Sequence, residues 1–489
     1  MRTIILILSI FGLMSLTQGQ STECMKDFDF LVTKIKDNYP GYRDKVTSKT
    51  SPELQNLENE LRGKIAQHPD SCGKYLDRYV SWFKDNHLRV KGLWPSKSSS
   101  PESKPEPRFY SLLEDSINIL KLKSKSVEGI WTSFWGDLAI IKNPGNDKYL
   151  GIAIRQENYE KNQVMFELTP IDENEFSMIC FPYYNDFKPM KGKMSLRMDK
   201  RILEQHDWTR FVRKSDSEIS DQALLYSYIP EFPNGRNAYP LAISLNDSTF
   251  YLRATSFMDD GTENSVKKHW QEIMARPNLI IDIRYNGGGQ DTYYQALSDL
   301  VYTQPFESKG VEWYATADNI KLYEDALKNG DIENGEEGIA WTNALLAEMK
   351  KNVGGFVEHP LMGKDEIVIK DTIYPYPKRV GIIINGGDAS SAEQFLLEAK
   401  NSKKVILFGN CNTAGVLDYS NIVPVDFPSG KYELNYPMTR SRRLPDSPID
   451  NIGIAPDVNI PYPATEQLFN RLDSWVYFVM NYLELMHNR

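Results

Sequence analysis

The chain has 489 residues, 41% of them hydrophobic, 25% charged and 12% aromatic, and a formal net charge of −9. That composition is of a soluble globular protein, too long for one ordinary core, and it implies about three modules. The acidic balance argues against a nucleic-acid partner, and no basic cluster contradicts that; Arg440, Arg442 and Arg443 are the one tight arginine group.

Met1-Arg2 followed by the apolar run Ile4 to Leu16, with small or polar Ser15, Thr17 and Gly19, predicts a secretory signal peptide over residues 1–19. The run is too short for a comfortable span and no other run is longer, so no membrane span is expected in the mature chain, which would be secreted or periplasmic. Four cysteines remain without a Cys-x-x-Cys spacing, which excludes the usual zinc patterns. Cys24 and Cys72 are candidates for a disulfide in an oxidising compartment, and Cys180 and Cys411 are expected to be unpaired.

Residues 20–94 read as a helical N-terminal module. Phe28, Leu31, Val32 and Ile35 repeat at helical spacing as far as Tyr39-Pro40-Gly41, and Ser51-Pro52 opens a helix with Leu54, Leu57, Leu61 and Ile65 on one face. A third helix runs from Cys72 through Leu76, Tyr79, Val80 and Phe83, and the pattern turns strand-like at Asp85-Asn86-His87-Leu88. A linker is expected over 95–126, rich in Pro, Ser, Lys and Glu where it begins. Residues 127–215 then read as a small β-barrel or sandwich, with strands at Leu138–Lys142, Tyr149–Arg155, Val164–Leu168, Phe176–Cys180 and Met194–Met198. It carries no catalytic grouping and is expected to be a spacer or docking module.

From 236 to 465 strands alternate with helices, which implies an α/β domain with much parallel sheet and ligands at the strands' carboxyl ends. Leu279–Ile283 leads into Asn286-Gly287-Gly288-Gly289, whose glycines allow close backbone approach. An irregular, partly helical insertion is expected over 309–358. Val380–Ile384 leads through Asn385-Gly386-Gly387 to a helix whose apolar face is Ala392, Phe395, Leu396 and Ala399, capped by Asp388 or Ser390. A hydroxyl at such a junction lies beside the unpaired N–H groups of the helix start, which can stabilise an oxyanion. A lone serine there is otherwise a helix cap. A C-terminal helix is expected over 466–489.

Taken in order, Asn286-Gly287-Gly288-Gly289, Ala389-Ser390-Ser391-Ala392-Glu393 and Gly453-Ile454-Ala455-Pro456-Asp457 resemble the three core signatures of the tail-specific (C-terminal-processing) serine peptidases. The resemblance implies a crotonase-like ββα catalytic domain that hydrolyses peptide bonds of a peptide or protein substrate, without a cofactor. It implies Ser390 as nucleophile, with Ser391 the other assignment, and an oxyanion hole from the backbone N–H of Ser391 and of Gly288 or Gly289. Many members place a lysine base in a segment that here reads Thr413-Ala414-Gly415-Val416-Leu417, with Val416 in the lysine's position. The branch resembling the tricorn core protease uses a histidine instead. Asp85-Asn86-His87 and Asp450 match that branch, so His87 is the implied base and Asp450, in place of the more usual glutamate, its acidic partner. Of the six histidines only His87 ends a helix beside an acidic neighbour in a motif. No metal site is expected, because no histidine–histidine or histidine–carboxylate pair has ligand spacing. No stretch resembles the family's usual PDZ module. The competing readings are a catalytically inactive homologue that binds peptide or apolar ligands, and an esterase with the same chemistry.

Overall fold

A computed structural model describes residues 23–92, 106–121, most of 126–214, 242–461 except 255, 333–334 and 362–363, and most of 468–486. The expected signal peptide lies outside the described residues. The chain divides into two compact units, each discontinuous in sequence.

The first unit comprises Met1–Pro95, Pro305–Ile369 and Ala414–Gly453. Residues 23–38 are helical. The helix Ser51–Gln67 takes Pro52 in its first turn, where a missing N–H costs nothing, and buries Leu54, Leu61 and Ile65 at helical spacing. Cys72–Ser81 buries Leu76, Tyr79 and Val80. Cys24 and Cys72 are joined as a disulfide across a sequence separation of 48, a closure that contributes on the order of 4 kcal/mol by chain-entropy reasoning. These helices share one core with Tyr419, Leu434, Tyr436 and Met438. Those four residues belong to two antiparallel strands, Tyr419–Asp426 and Tyr432–Ser441. The long strand also pairs with Arg89–Gly92, Arg89 opposite Asn435, and with Val311–Tyr314, Val311 opposite Ser441. The insertion after residue 309 is more regular than its sequence suggests: it holds the helices Ala317–Asn329 and Gly335–Lys351. Thr316 caps the first by accepting the Asn319 N–H, and Gly330 ends it at φ 78°.

The second unit comprises Ser96–Gln304, Lys370–Thr413 and Ile454–Arg489. Its strands from Gly129 to Arg213 close into an eight-stranded antiparallel barrel, filled by Trp131, Leu138, Phe166, Met178, Met194 and Leu203 among others. A six-stranded sheet follows, in the order Ala242–Ser244, Thr249–Arg253, Asn278–Asp282, Arg379–Ile383, Val405–Gly409, Val458–Asn459. The first strand is antiparallel and the rest are parallel. The helix Ser474–Leu485 packs on this sheet through Trp475, Val476, Val479 and Leu483. Gly381 is required there, because a Cβ would sit 2.5 Å from Val479 Cγ1. Phe257, Tyr294 and Phe395 form an aromatic cluster with centroids 5.5 to 6.1 Å apart.

Two helices, Gly261–Lys268 and Trp270–Met274, meet at His269. The His269 ring is held at this junction. It packs on Phe250 with centroids 5.7 Å apart and meets Glu272 Oε1 at 2.8 Å. Among the described residues no helix is long and apolar enough to cross a membrane.

Candidate functional site

Two adjacent parallel strands of the second unit, Asn278–Asp282 and Arg379–Ile383, are in register with Asp282 opposite Ile383. Their carboxyl ends release the two glycine-bearing loops side by side. Beneath them Asp282 is fully buried between Arg253 Nη1 at 2.7 Å and Arg284 Nη2 at 2.6 Å, with the Tyr251 hydroxyl at 2.9 Å. Burial alone would raise its pKa, but the two guanidinium charges and these hydrogen bonds hold the carboxyl well below the usual range.

Ser390 is the cap of the helix Ser391–Ala399, at φ 58°, ψ −125°. Positive φ is costly for a residue with a Cβ, and strain of this kind gathers where a loop must present a side chain. The strained turn stands at the carboxyl edge of the sheet, as in nucleophile elbows generally. Its geometry is held by a capping box. The Ser390 hydroxyl faces the Glu393 N–H, and Glu393 Oε2 receives the Ser390 N–H at 3.3 Å. Glu393 is fully buried, and its Oε1 takes the Thr413 hydroxyl at 2.5 Å. Thr413 Oγ1 in turn takes the Ile454 N–H at 2.7 Å, so the third sequence signature is tied to the elbow through two side chains.

The glycine loop lies directly on this elbow. A Cβ at Gly288, which has φ +91°, would come within 2.7 Å of Ala389 O and 2.8 Å of both Ser390 Cβ and Ser391 N. The N–H of Gly288 is donated to Asn286 Oδ1 at 2.9 Å. The bridge between Gly289 and Phe257 is made by the Phe257 and Gln290 N–H groups, at 3.1 and 2.8 Å. Neither bond uses the Gly289 amide. Ser391 begins the helix, so its N–H has no intrahelical acceptor, while its hydroxyl donates to Gly289 O at 2.9 Å. Among the described residues, no hydrogen bond is made by the N–H of Gly289 or of Ser391, and both lie in the loops beside Ser390.

Asp388, which the sequence offers as a helix cap, has another place. Its Oδ2 accepts the Asn385 N–H at 2.8 Å and its Oδ1 the Asn286 N–H at 3.2 Å. Asn385 Oδ1 accepts from Tyr285 at 3.0 Å and Gly387 at 2.9 Å, and Ala389 N–H donates to Asn286 O at 3.0 Å. The two loops are therefore locked together around a buried carboxyl whose pKa burial pushes far up, against the pull of the Asn385 and Asn286 N–H groups. Asp388→Asn turns one of those acceptors into an amide NH₂ facing a backbone N–H. The variant should lose roughly 10²-fold in kcat, the cost of misplacing a reacting group by about 1 Å, with KM within a few-fold of the parent. Steady-state kinetics on any hydrolysed substrate checks this, and an unchanged kcat removes Asp388 as a positioning residue.

The first unit carries His87 and Asp450. The helix Cys72–Ser81 is followed by Lys84 at φ 49°, and the next turn is closed by Asp85, whose Oδ1 accepts the His87 N–H at 2.8 Å and whose Oδ2 accepts the Tyr39 hydroxyl at 2.7 Å. His87 is half-buried, and its Nδ1 lies 2.5 Å from the carbonyl oxygen of Tyr419. A carbonyl only accepts, so this contact sets the tautomer with hydrogen on Nδ1 and a lone pair on Nε2. Asp450 Oδ1 accepts the N–H groups of Leu417 and Asp418, both at 2.7 Å. Among the described residues no hydrogen bond or ion pair joins Asp450 to His87. Asp418 returns the contact, its Oδ2 accepting the N–H of Ile449 at 2.6 Å and Asp450 at 2.8 Å. Val416, where a lysine base is placed in many relatives by the resemblance, is buried.

The profile of peptidase family S41 matches residues 248–460, which span the glycine loop, the Ser390 elbow and the Gly453–Asp457 ending. The similarity to peptidase family S41 lies in these residues. The family is one of serine-type peptidases, and its fold, with mixed α/β content and separate sheets, is the one described above. Among solved structures, mature CPAF complexed with lactacystin is similar at 14% identity and a TM-score of 0.50, over 96% of this chain and 98% of that chain. The tricorn protease is similar at 11% identity and a TM-score of 0.42, over 96% of this chain and 37% of that chain. The photosystem II D1 C-terminal processing protease aligns at 12% identity and a TM-score of 0.36, over 91% and 94%. A comparison with curated proteins found no match. The residues that the sequence reading did not single out are Asn385 and Asn286 as loop acceptors, Thr413, and the Tyr419 carbonyl.

Proposed function

We propose that the protein is a secreted serine peptidase that cleaves peptide bonds through an acyl-enzyme on Ser390. The observation that carries this reading is the strained Ser390 turn with the Gly288 backbone against it and the Gly289 and Ser391 amides beside it. Attack of Oγ on a substrate carbonyl places an oxyanion where two backbone donors can stabilise it, each worth on the order of 10²-fold in rate. His87 is the general base: Nε2 takes the hydroxyl proton and later returns it to the leaving amine, while Nδ1–H stays on the Tyr419 carbonyl. Asp450 acts through the segment it holds. It fixes the Leu417 and Asp418 amides, and so the position of the next residue, Tyr419, whose carbonyl orients His87. In this reading the catalytic domain is of the crotonase-like ββα type, the helical and β modules accompany it, and the leader over residues 1–19 directs the chain out of the cytoplasm.

A fluorophosphonate probe tests the reading. It should label the parent protein at Ser390 and leave Ser390→Ala unlabelled; no labelling of the parent would favour an inactive, peptide-binding homologue. Asp450 gives a second check, through its ionisation. Burial first, and then the charge of Asp85, push its pKa up to about 7, against the pull of the Asp418 and Leu417 N–H groups. A raised folded-state pKa means that the folded state holds the proton more tightly than the unfolded chain. The stability it contributes is full below about pH 4 and is lost as pH rises through about 7. Asp450→Asn cannot ionise and still offers an oxygen to the two amides. Urea unfolding should show the parent losing as much as about 4 kcal/mol more than the variant between those limits. Parallel pH profiles for the two proteins would contradict this account of Asp450.

A further inference from the structure

Glu393 meets Ser390 twice: its N–H faces the Ser390 hydroxyl, and its Oε2 receives the Ser390 N–H at 3.3 Å. A donor on the hydroxyl oxygen occupies one lone pair, which sets the side-chain rotamer and leaves the O–H available to a base. The position of the Glu393 side chain therefore fixes the position of Ser390. Thr413, itself buried, bonds the far oxygen of that carboxyl. Its Oγ1 takes the Ile454 N–H at 2.7 Å, and its hydrogen is donated to Glu393 Oε1 at 2.5 Å. The chain leaves the second unit after Thr413 and re-enters it at Ile454. These two crossing points are already joined through the backbone, the Thr413 N–H donating to Ile454 O at 3.1 Å. That bond asks for no particular side chain at 413. A hydroxyl adds what an apolar side chain cannot: from a single atom it accepts from Ile454 and donates to Glu393.

We propose that Thr413 is a positioning residue for the nucleophile: acting through Glu393, it fixes where Ser390 Oγ stands without touching substrate. The proposal rests on the reading of Ser390 as the nucleophile. Loss of the Thr413 donor takes a hydrogen bond from a buried carboxyl oxygen, and a carboxyl with one bond fewer is less constrained against turning away from the Ser390 N–H. Thr413→Val keeps the shape of the side chain and the backbone bond to Ile454, and removes the hydroxyl alone. The readout is the rate at which a fluorophosphonate labels Ser390 in the full-length protein, which reports the reactivity of the hydroxyl without peptide binding. Thr413→Val should be labelled on the order of 10²-fold more slowly than the parent, the cost of misplacing a reacting group by about 1 Å. Its kcat on a peptide substrate should fall by the same factor, with KM little changed. Thr413→Ser restores the hydroxyl and should regain most of the loss. Urea unfolding identifies conditions in which each variant is native, and rates are compared there. Glu393→Gln, which sets an NH₂ against one of its two donors, is the second variant and keeps the test open if Thr413→Val does not fold. It should be slowed as well, and the double variant should be slowed no further, because both changes act through one contact. Labelling of either folded single variant at the parent rate, equal slowing in Thr413→Ser, or losses that multiply in the double variant would each overturn the proposal and leave Ser390 as the nucleophile. A parent protein that is not labelled at Ser390 would overturn it together with that reading.

Discussion

Ser390→Ala is expected to fold and to hydrolyse peptide substrate on the order of 10⁴ to 10⁶ times more slowly than the parent, the loss that follows removal of an activated nucleophile. Alanine keeps the Cβ that the φ 58° turn already carries, so the backbone strain is unchanged. The substitution does remove the cap hydroxyl, which lowers stability by roughly 1 kcal/mol. Rates should therefore be measured well below the unfolding midpoint, with circular dichroism confirming the fold. Ser391→Ala separates the two neighbouring hydroxyls. The Ser391 side chain donates to Gly289 O at 2.9 Å and its contribution to an oxyanion site is its backbone N–H, which alanine retains. Ser391→Ala should keep activity within about tenfold, the cost of one neutral hydrogen bond. If the two variants exchange these outcomes, the nucleophile is Ser391; if Ser390→Ala hydrolyses at the parent rate, the enzymatic role of this elbow is excluded.

His87→Ala is expected to lose on the order of 10³ to 10⁶ in kcat with little change in KM, because proton transfer is made in the transition state and not in substrate binding. The Tyr419 carbonyl and the Asp85 carboxylate remain in place in that variant, so the loss reports the imidazole and not a collapsed loop. Added imidazole should restore part of the rate. Val416→Lys should restore nothing, because its position is buried and an ammonium there would lose its water. An active His87→Ala protein would mean that another group takes the proton.

The sequence by itself determines the structure wherever that structure rests on neighbouring residues. The Ser390 elbow is written in neighbouring residues: a β-branched strand, a glycine turn, a hydroxyl at the cap and Glu393 three positions on to close the capping box. The same is true of Gly288, whose φ of +91° only glycine adopts without strain, and of the helix face Ala392, Phe395, Leu396 and Ala399. Tertiary structure alone decided how these pieces are held. Asp388 reads as a cap because aspartate commonly caps, yet it bonds Asn286, 102 residues away, and locks two loops that no local pattern connects. His87 finds its Nδ1 partner 332 residues on, in a backbone carbonyl. A carbonyl is present at every position and leaves no mark in the residue types, whereas an acidic residue such as Asp450 does. That carboxyl is spent on the Leu417 and Asp418 amides instead. Side-chain identity specifies what each group can do, whereas the partner it meets depends on strand pairing between distant segments, and that pairing is set by burial of the whole core.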